Sequence, residues 1–96
     1  MPYNDMFVWD LEKYALNLQK HRITFEEAST VFYDDRAVYL DDGEHSQDEE
    51  RFKVIGMSDK LKILTVCHCH RNGGDLIRII SARKATKQEY NDYTRR

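Results

Sequence analysis

Residues 51–82, RFKVIGMSDKLKILTVCHCHRNGGDLIRIISA, decide the fold. Residues 51–57 alternate, with Phe52 and Val54 on one face and Arg51 and Lys53 on the other. That is the pattern of a half-buried strand. Residues 58–60 form a turn, and residues 61–70 read as a longer, apolar strand. Asn72-Gly73 and Gly73-Gly74 supply the positive φ that a tight hairpin turn requires. Residues 76–82 then return as the last strand. Consecutive strands joined by short turns predict a mostly antiparallel sheet.

Working outward, Thr86-Lys87-Gln88-Glu89 is a capping box that opens a C-terminal helix through about residue 93. At the other end, residues 6–9 read as a short strand. Asp10 caps a helix that runs to about residue 21. Leu11, Tyr14, Ala15 and Leu18 fall at i, i+3, i+4 and i+7, an amphipathic signature. Thr24 and Glu27 form a second capping box, before a short helix ending near residues 31–32. Residues 37–40 are β-like, and residues 41–50, DDGEHSQDEE, read as an acidic loop. The order β-α-α-β-β-β-β-α predicts an α+β domain. Its antiparallel sheet has four to five strands, with two N-terminal helices and one C-terminal helix packed on it.

A chain of 96 residues predicts one domain, spanning 1–96. Hydrophobic residues make up 41% and charged residues 33%, a globular balance rather than a disordered one. No apolar run approaches the ~20 residues needed to cross a bilayer. The opening residues lack a basic start followed by an apolar stretch, so no signal peptide and a cytoplasmic location are expected. The net charge is −2, but its distribution is uneven. Residues 1–50 carry four Lys/Arg against thirteen Asp/Glu, and residues 51–96 carry eleven against four. This asymmetry permits a basic surface, and equally permits one that vanishes when the two halves pack together.

Three clusters are candidates for chemistry. On the first helix, Lys13, Asn17 and Lys20 lie within a narrow arc, with His21 just beyond. This stripe lies opposite the apolar one. It is either a solvated face or a phosphate-facing one, with two ammoniums, an amide and an imidazole. The second cluster is Arg83 and Lys84, placed where the last strand meets a helix N-terminus. An Arg there can clamp a phosphate through two parallel N–H bonds, or it can pair with a surface carboxylate. Strict alternation puts Arg78 and Arg83 on opposite faces of the strand, so both serve one site only if a bulge re-aims one of them. The third is Cys67-His68-Cys69-His70. A regular strand sends the cysteines one way and the histidines the other, so neither side offers more than two ligands. No metal site and no disulfide is expected there. Ser81 lacks a nucleophile-elbow context, and no Gly-rich phosphate loop or dinucleotide fingerprint occurs.

Together, FVWDLEKYALNLQKHRITFEEASTVF (residues 7–32), RFKVIG (51–56) and IRIISARKATKQEYNDY (77–93) resemble the BrnT toxin family. The pattern runs W-D-x-x-K, N-x-x-K-H, F-E-E-A, R-x-x-x-I-G, then I-R-I-I-S-A-R-K-A-T and a terminal E-x-x-x-Y, covering nearly the whole chain. Tyr90 departs from it, since an Arg often follows the Glu. So does the run Cys67 to His70, where an apolar strand with a single His is more usual. The resemblance implies a RelE-like fold and toxicity through RNA cleavage and reduced translation. It also implies neutralisation by a BrnA-type ribbon-helix-helix antitoxin, with operator DNA bound only through that antitoxin, and no membrane partner.

On this reading RNA is cleaved without a metal or other cofactor, the 2′-hydroxyl attacking the adjacent phosphate. Arg83 would clamp the transition state. His21 and Glu89 are candidates for proton transfer. Lys13, Lys20, Arg51, Lys53 and Lys84 would position phosphates, with Asn17 and Arg78 as further RNA contacts. Tyr93, one turn after Glu89, would stack on a base or orient the Glu. Two rivals stand beside it: a non-catalytic module acting only through its partner complex, and a Cys/His metal protein.

Overall fold

The computed structural model describes residues 6–42 and 50–95. Strand β1 (Phe7–Val8) leads into helix α1 (Leu11–His21) and helix α2 (Phe25–Thr30). A 3-10 turn at Val31–Tyr33 precedes β2 (Val38–Asp41), β3 (Phe52–Met57) and β4 (Ile63–Arg71). A second 3-10 turn, Asn72–Gly74, joins β4 to β5 (Leu76–Lys84), and α3 (Lys87–Thr94) closes the chain. The five strands form one sheet in the order β1-β5-β4-β3-β2. All pairs are antiparallel except β1 with β5, which runs parallel. The α+β class and the element order are those expected. Most of the acidic loop, residues 43–49, lies outside the described residues.

One sheet face carries Phe7, Ile77, Ile79, Ala82, Val66, Leu64 and Val54. They pack against Phe25 and Ala28 of α2 and Val31 of the turn that follows. Gly56 lets that turn approach β3: a Cβ there would lie 2.8 Å from Val31 Cγ1 and 3.3 Å from the Ala37 Cβ. Helix α3 lies against the other face, where Tyr93 donates a 2.6 Å hydrogen bond to Asp34. Asp34 also accepts the Met57 and Arg36 amides, and these bonds hold its carboxyl below the ordinary range despite burial.

Helix α1 corrects the expectation from hydropathy. Of its apolar stripe only Tyr14 packs inward, against Trp9 and Phe25, whereas Leu11 is 79% exposed, Leu18 39%, and Ala15 is exposed too. The face turned to the protein holds Asn17, which is 5% exposed. The Asn17 amide donates to the Ala82 carbonyl and accepts from the Ala82 N–H, both at 2.9 Å. It also donates to the Ile23 carbonyl at 3.0 Å. β1 pairs with β5 only at Ile77 and Arg78, so the rest of that edge needs partners. The Asn17 side chain supplies them at Ala82, because a buried backbone group left unpaired costs about 1–3 kcal/mol.

Three local expectations are also adjusted. β5 extends to Lys84, so Arg83 and Lys84 lie within the strand rather than at its junction with the helix. Thr24 caps α2, but the Glu27 carboxylate accepts from the Ser58 hydroxyl instead of reaching back to the cap. Opposite Cys67 and His68, β5 carries an extra residue. Cys67 pairs with Ser81 and His68 with Ile79, which leaves Ile80 as a bulge.

Candidate functional site: a basic groove across the bulge

The bulge decides which side chains share a face. Residues directly opposite in a sheet project to the same side. Thr65 pairs with Arg83, Cys67 with Ser81 and with Lys53, and Cys69 with Arg78. Arg78 and Arg83 therefore emerge on one face, which unbroken alternation would forbid.

At the centre of that face is Glu89, brought there by α3 and only 7% exposed. Its Oε1 accepts from Arg83 Nη1 at 2.7 Å, the Thr65 hydroxyl at 2.8 Å and the Thr86 amide at 2.9 Å. Its Oε2 accepts from Arg83 Nη2 at 3.1 Å and lies 3.5 Å from Lys53 Nζ. The bond to the Thr86 amide completes the capping box read from the sequence. Burial raises the Glu89 carboxyl, but the Arg83 guanidinium and the Thr86 and Thr65 donors outweigh it and hold the group at about 2. A carboxylate so fixed stays ionised at neutral pH.

Arg83 is oriented by this partner. The end-on edge of its guanidinium faces Glu89, and Nη1 also donates to the Lys84 carbonyl at 3.3 Å. The side-on edge, Nε and the outer Nη2 proton, has no protein acceptor among the described residues. Two parallel N–H bonds remain there for an oxyanion. Arg83 belongs to the wall of a cavity of about 320 Å³, which is also lined by Asp42, Arg51, Lys53, Thr65, Cys67, Ile80 and Ser81. The Cys67 thiol donates to Asp42 at 3.4 Å, and burial together with that carboxylate pushes it up to about 11. It is a neutral wall group, not a thiolate nucleophile.

A second cavity, about 330 Å³, is lined by Lys13, Leu16, Asn17, Lys20, His21, Ile80 and Ser81. The two cavities share Ile80 and Ser81, so the bulge is the ridge between them. Arg83 lines the first cavity and Lys20, 63 positions away in sequence, lines the second, and the two cavities meet at Ile80 and Ser81. Of the stripe on α1, Lys13 and Lys20 are exposed, His21 is half-buried and Asn17 is buried. Lys13, Lys20 and His21 line the groove, whereas the Asn17 amide is committed to backbone.

The remaining candidates divide. Arg51 and Lys53 lie in the first cavity. Arg78 lines a separate hollow with Arg71. Lys84 is exposed and lines neither groove cavity. The Tyr93 hydroxyl donates to Asp34 rather than to Glu89. The histidines of the Cys/His run sit on the face opposite the groove: His68 is 1% exposed and packs edge-on against Phe32, with Phe52 and His70 alongside. Burial lowers it to about 4, so it is neutral in the fold. Sequence reasoning missed Thr65 and Ser81 as wall residues. Only the pairing register, with its bulge, places them beside Arg83.

The model of the BrnT ribonuclease toxins of type II toxin–antitoxin systems matches residues 9–89, most of the chain. The chain belongs to the BrnT family. The fold agrees: the crystal structure of the Brucella abortus ribonuclease toxin BrnT superimposes with a TM-score of 0.63. That match covers 85% of this chain and 99% of the Brucella one at 24% identity, which speaks to the fold alone. Comparison with curated protein sequences gives no match. No helix among the described residues is long and apolar enough to cross a membrane.

Proposed function

We propose that this BrnT-family chain cleaves RNA internally without a metal and so reduces translation. The observation that carries this reading is the groove: Arg83 on one side of the Ser81 ridge and Lys13, Lys20 and His21 on the other. The 2′-oxygen attacks the adjacent phosphorus, the bond from phosphorus to the 5′-oxygen breaks, and the products end in a 2′,3′-cyclic phosphate and a 5′-hydroxyl. The developing phosphorane carries extra negative charge. The open edge of Arg83 meets it in a preorganised way, with Lys53 and Arg51 adding positive charge from the same cavity.

Glu89 acts as a positioning residue. Both its oxygens are occupied and its carboxyl is held at about 2, so it is a poor base and a firm anchor for Arg83. Proton transfer then falls to His21, the imidazole lining the groove. Lys13 and Lys20 hold phosphate on the α1 side, where an ammonium serves as a point charge.

The partner in this reading is a BrnA-type ribbon-helix-helix antitoxin, which alone contacts operator DNA, and the setting is the cytoplasm. The exposed stripe of Leu11, Ala15 and Leu18 on α1 supports a docking partner. It also keeps the alternative of a non-catalytic module in view. Harmless overexpression together with tight complex formation would favour that alternative.

The deciding experiment incubates purified, antitoxin-free protein with single-stranded RNA in EDTA. Fragments ending in 2′,3′-cyclic phosphate are expected. Intact RNA, or cleavage that EDTA abolishes, contradicts the proposal.

A further inference from the structure

The bulge at Ile80 sets Ser81 at the junction of the two cavities, where it lines both. Ser81 pairs with Cys67, two positions along β4 from the Thr65–Arg83 pair, so it shares the face of Arg83. Two residues of strand are about 7 Å, the span of one phosphate group with a hydrogen bond at each end. Asn17, Thr65, Cys67 and Ser81 bring an amide, a thiol and two hydroxyls to the cavity walls. The first three are committed. Asn17 holds the Ala82 backbone, Thr65 donates to Glu89 at 2.8 Å, and Cys67 donates to Asp42 at 3.4 Å. The half-buried Ser81 hydroxyl has no hydrogen-bond partner among the described residues. Cations line the cavity on either side of it, Arg83 and Lys53 in one and Lys13 and Lys20 in the other.

We propose that the Ser81 hydroxyl is a substrate contact of the cleavage site, donating to one non-bridging oxygen of the phosphate whose bond breaks. It rests on the ribonuclease reading and adds to it the position of the reacting phosphorus, on the ridge where the cavities meet. When the 2′-oxygen attacks in line with the departing 5′-oxygen, the two non-bridging oxygens take up the added charge. Arg83 presents its fork from one side, and Ser81 offers a single O–H from the ridge. A hydroxyl bonded to an anionic oxygen is a charge-assisted donor, stronger than one bonded to a neutral partner. Ser81 keeps its proton throughout and forms no bond to phosphorus. No described base lies within hydrogen-bond distance to take that proton, which sets this role apart from a serine nucleophile.

The test compares wild type with Ser81→Ala on an oligonucleotide carrying one ribonucleotide in a deoxy background, which fixes the cleaved bond. Three forms of that linkage are used: the phosphate, and the two phosphorothioate diastereomers, in which sulfur replaces one or the other non-bridging oxygen. On the phosphate, Ser81→Ala is expected to slow cleavage roughly tenfold, the size of one hydrogen bond to a charged group. On one diastereomer the same substitution should cost about twofold or less, because sulfur is a weak acceptor and the bond is already lost. On the other the cost stays at roughly tenfold. Ser81→Thr, which restores a hydroxyl, should recover most of the rate on the phosphate. Equal slowing of all three forms would make Ser81 a merely structural residue and overturn the proposal, as would no slowing of any. If the wild-type chain cuts no RNA, the ribonuclease reading fails. Binding of a non-cleavable 2′-O-methyl dinucleotide, as phosphate and as each diastereomer, then decides the contact. Affinity lost in Ser81→Ala for the phosphate and one diastereomer supports it, and equal affinities, or no binding to wild type, refute it.

Discussion

Replacing Glu89 by Gln keeps the size of the side chain and removes its charge. A carboxyl held at about 2 instead of 4.5 favours its ionised form by roughly 3 kcal/mol in the fold. Arg83 leaves about a third of its side chain open to solvent, which screens the pair, so about 2 kcal/mol is expected to appear as folding stability. For a domain this small, that corresponds to a fall of roughly 8–16 °C in Tm. The pH dependence is a sharper mark. Because the folded carboxyl lies below its unfolded value, its contribution is whole above about 4.5 and disappears as pH falls toward 2. Thermal unfolding followed by circular dichroism, wild type against Glu89→Gln, gives the gap at each pH. The gap is expected to shrink by more than half between about pH 6 and about pH 3. A gap that stays constant over this range would refute the electrostatic assignment, whatever its size.

Three further outcomes follow from the packing. Asn17→Leu leaves the N–H and C=O of Ala82 without partners, and chemical denaturation should show a loss of at least about 2 kcal/mol; an unchanged midpoint would mean that the edge of β5 finds other partners. Gly56→Ala drives a Cβ to within 2.8 Å of Val31 Cγ1, so a loss of about 1–3 kcal/mol is expected, and a neutral result would show that the turn after α2 shifts freely. His68 is held at about 4 inside the fold and takes its proton near 6.5 when unfolded, so stability should decline as pH falls between those values, by up to roughly 3 kcal/mol. His68→Phe should flatten that decline, and identical pH profiles would place its cause elsewhere.

Much of the fold is legible because its signals are local. The Thr86 capping box, the Thr24 and Asp10 caps and the Asn72–Gly74 turn are each set by residues within a few positions. The burial of α1 is not legible in this way. Hydropathy periodicity follows Leu11, Tyr14, Ala15 and Leu18, of which only Tyr14 packs on the core, and the helix is also held by a polar residue that pairs with backbone 65 positions away. The parallel pairing of β1 is equally hidden, since two residues carry too little pattern to choose a neighbour.

The site was legible as a set of residues and not as an arrangement. Charge and position single out Lys13, Lys20, His21, Arg51, Lys53 and Arg83, and in the structure the first three line one cavity and the last three its neighbour. The bulge that joins the two halves lies inside an apolar run, Ile79-Ile80-Ser81, with nothing in its composition to mark the extra residue. Glu89 was recognised as a helix cap, but its hold on Arg83 requires the strand end and the first turn of α3 to fold back on each other. Tyr93 was placed one turn from Glu89 by helical spacing, yet its hydroxyl is taken by Asp34 from the turn before β2.

The most direct measurement is the rate of RNA cleavage by Arg83→Lys, compared with wild type in EDTA after circular dichroism shows both to be folded. Lysine preserves the positive charge and removes the fork that Glu89 orients. A fall of at least about 100-fold is expected, with cyclic phosphate still the product of the residual reaction. A folded Arg83→Lys protein that cuts RNA at the wild-type rate would contradict the role given to that side chain.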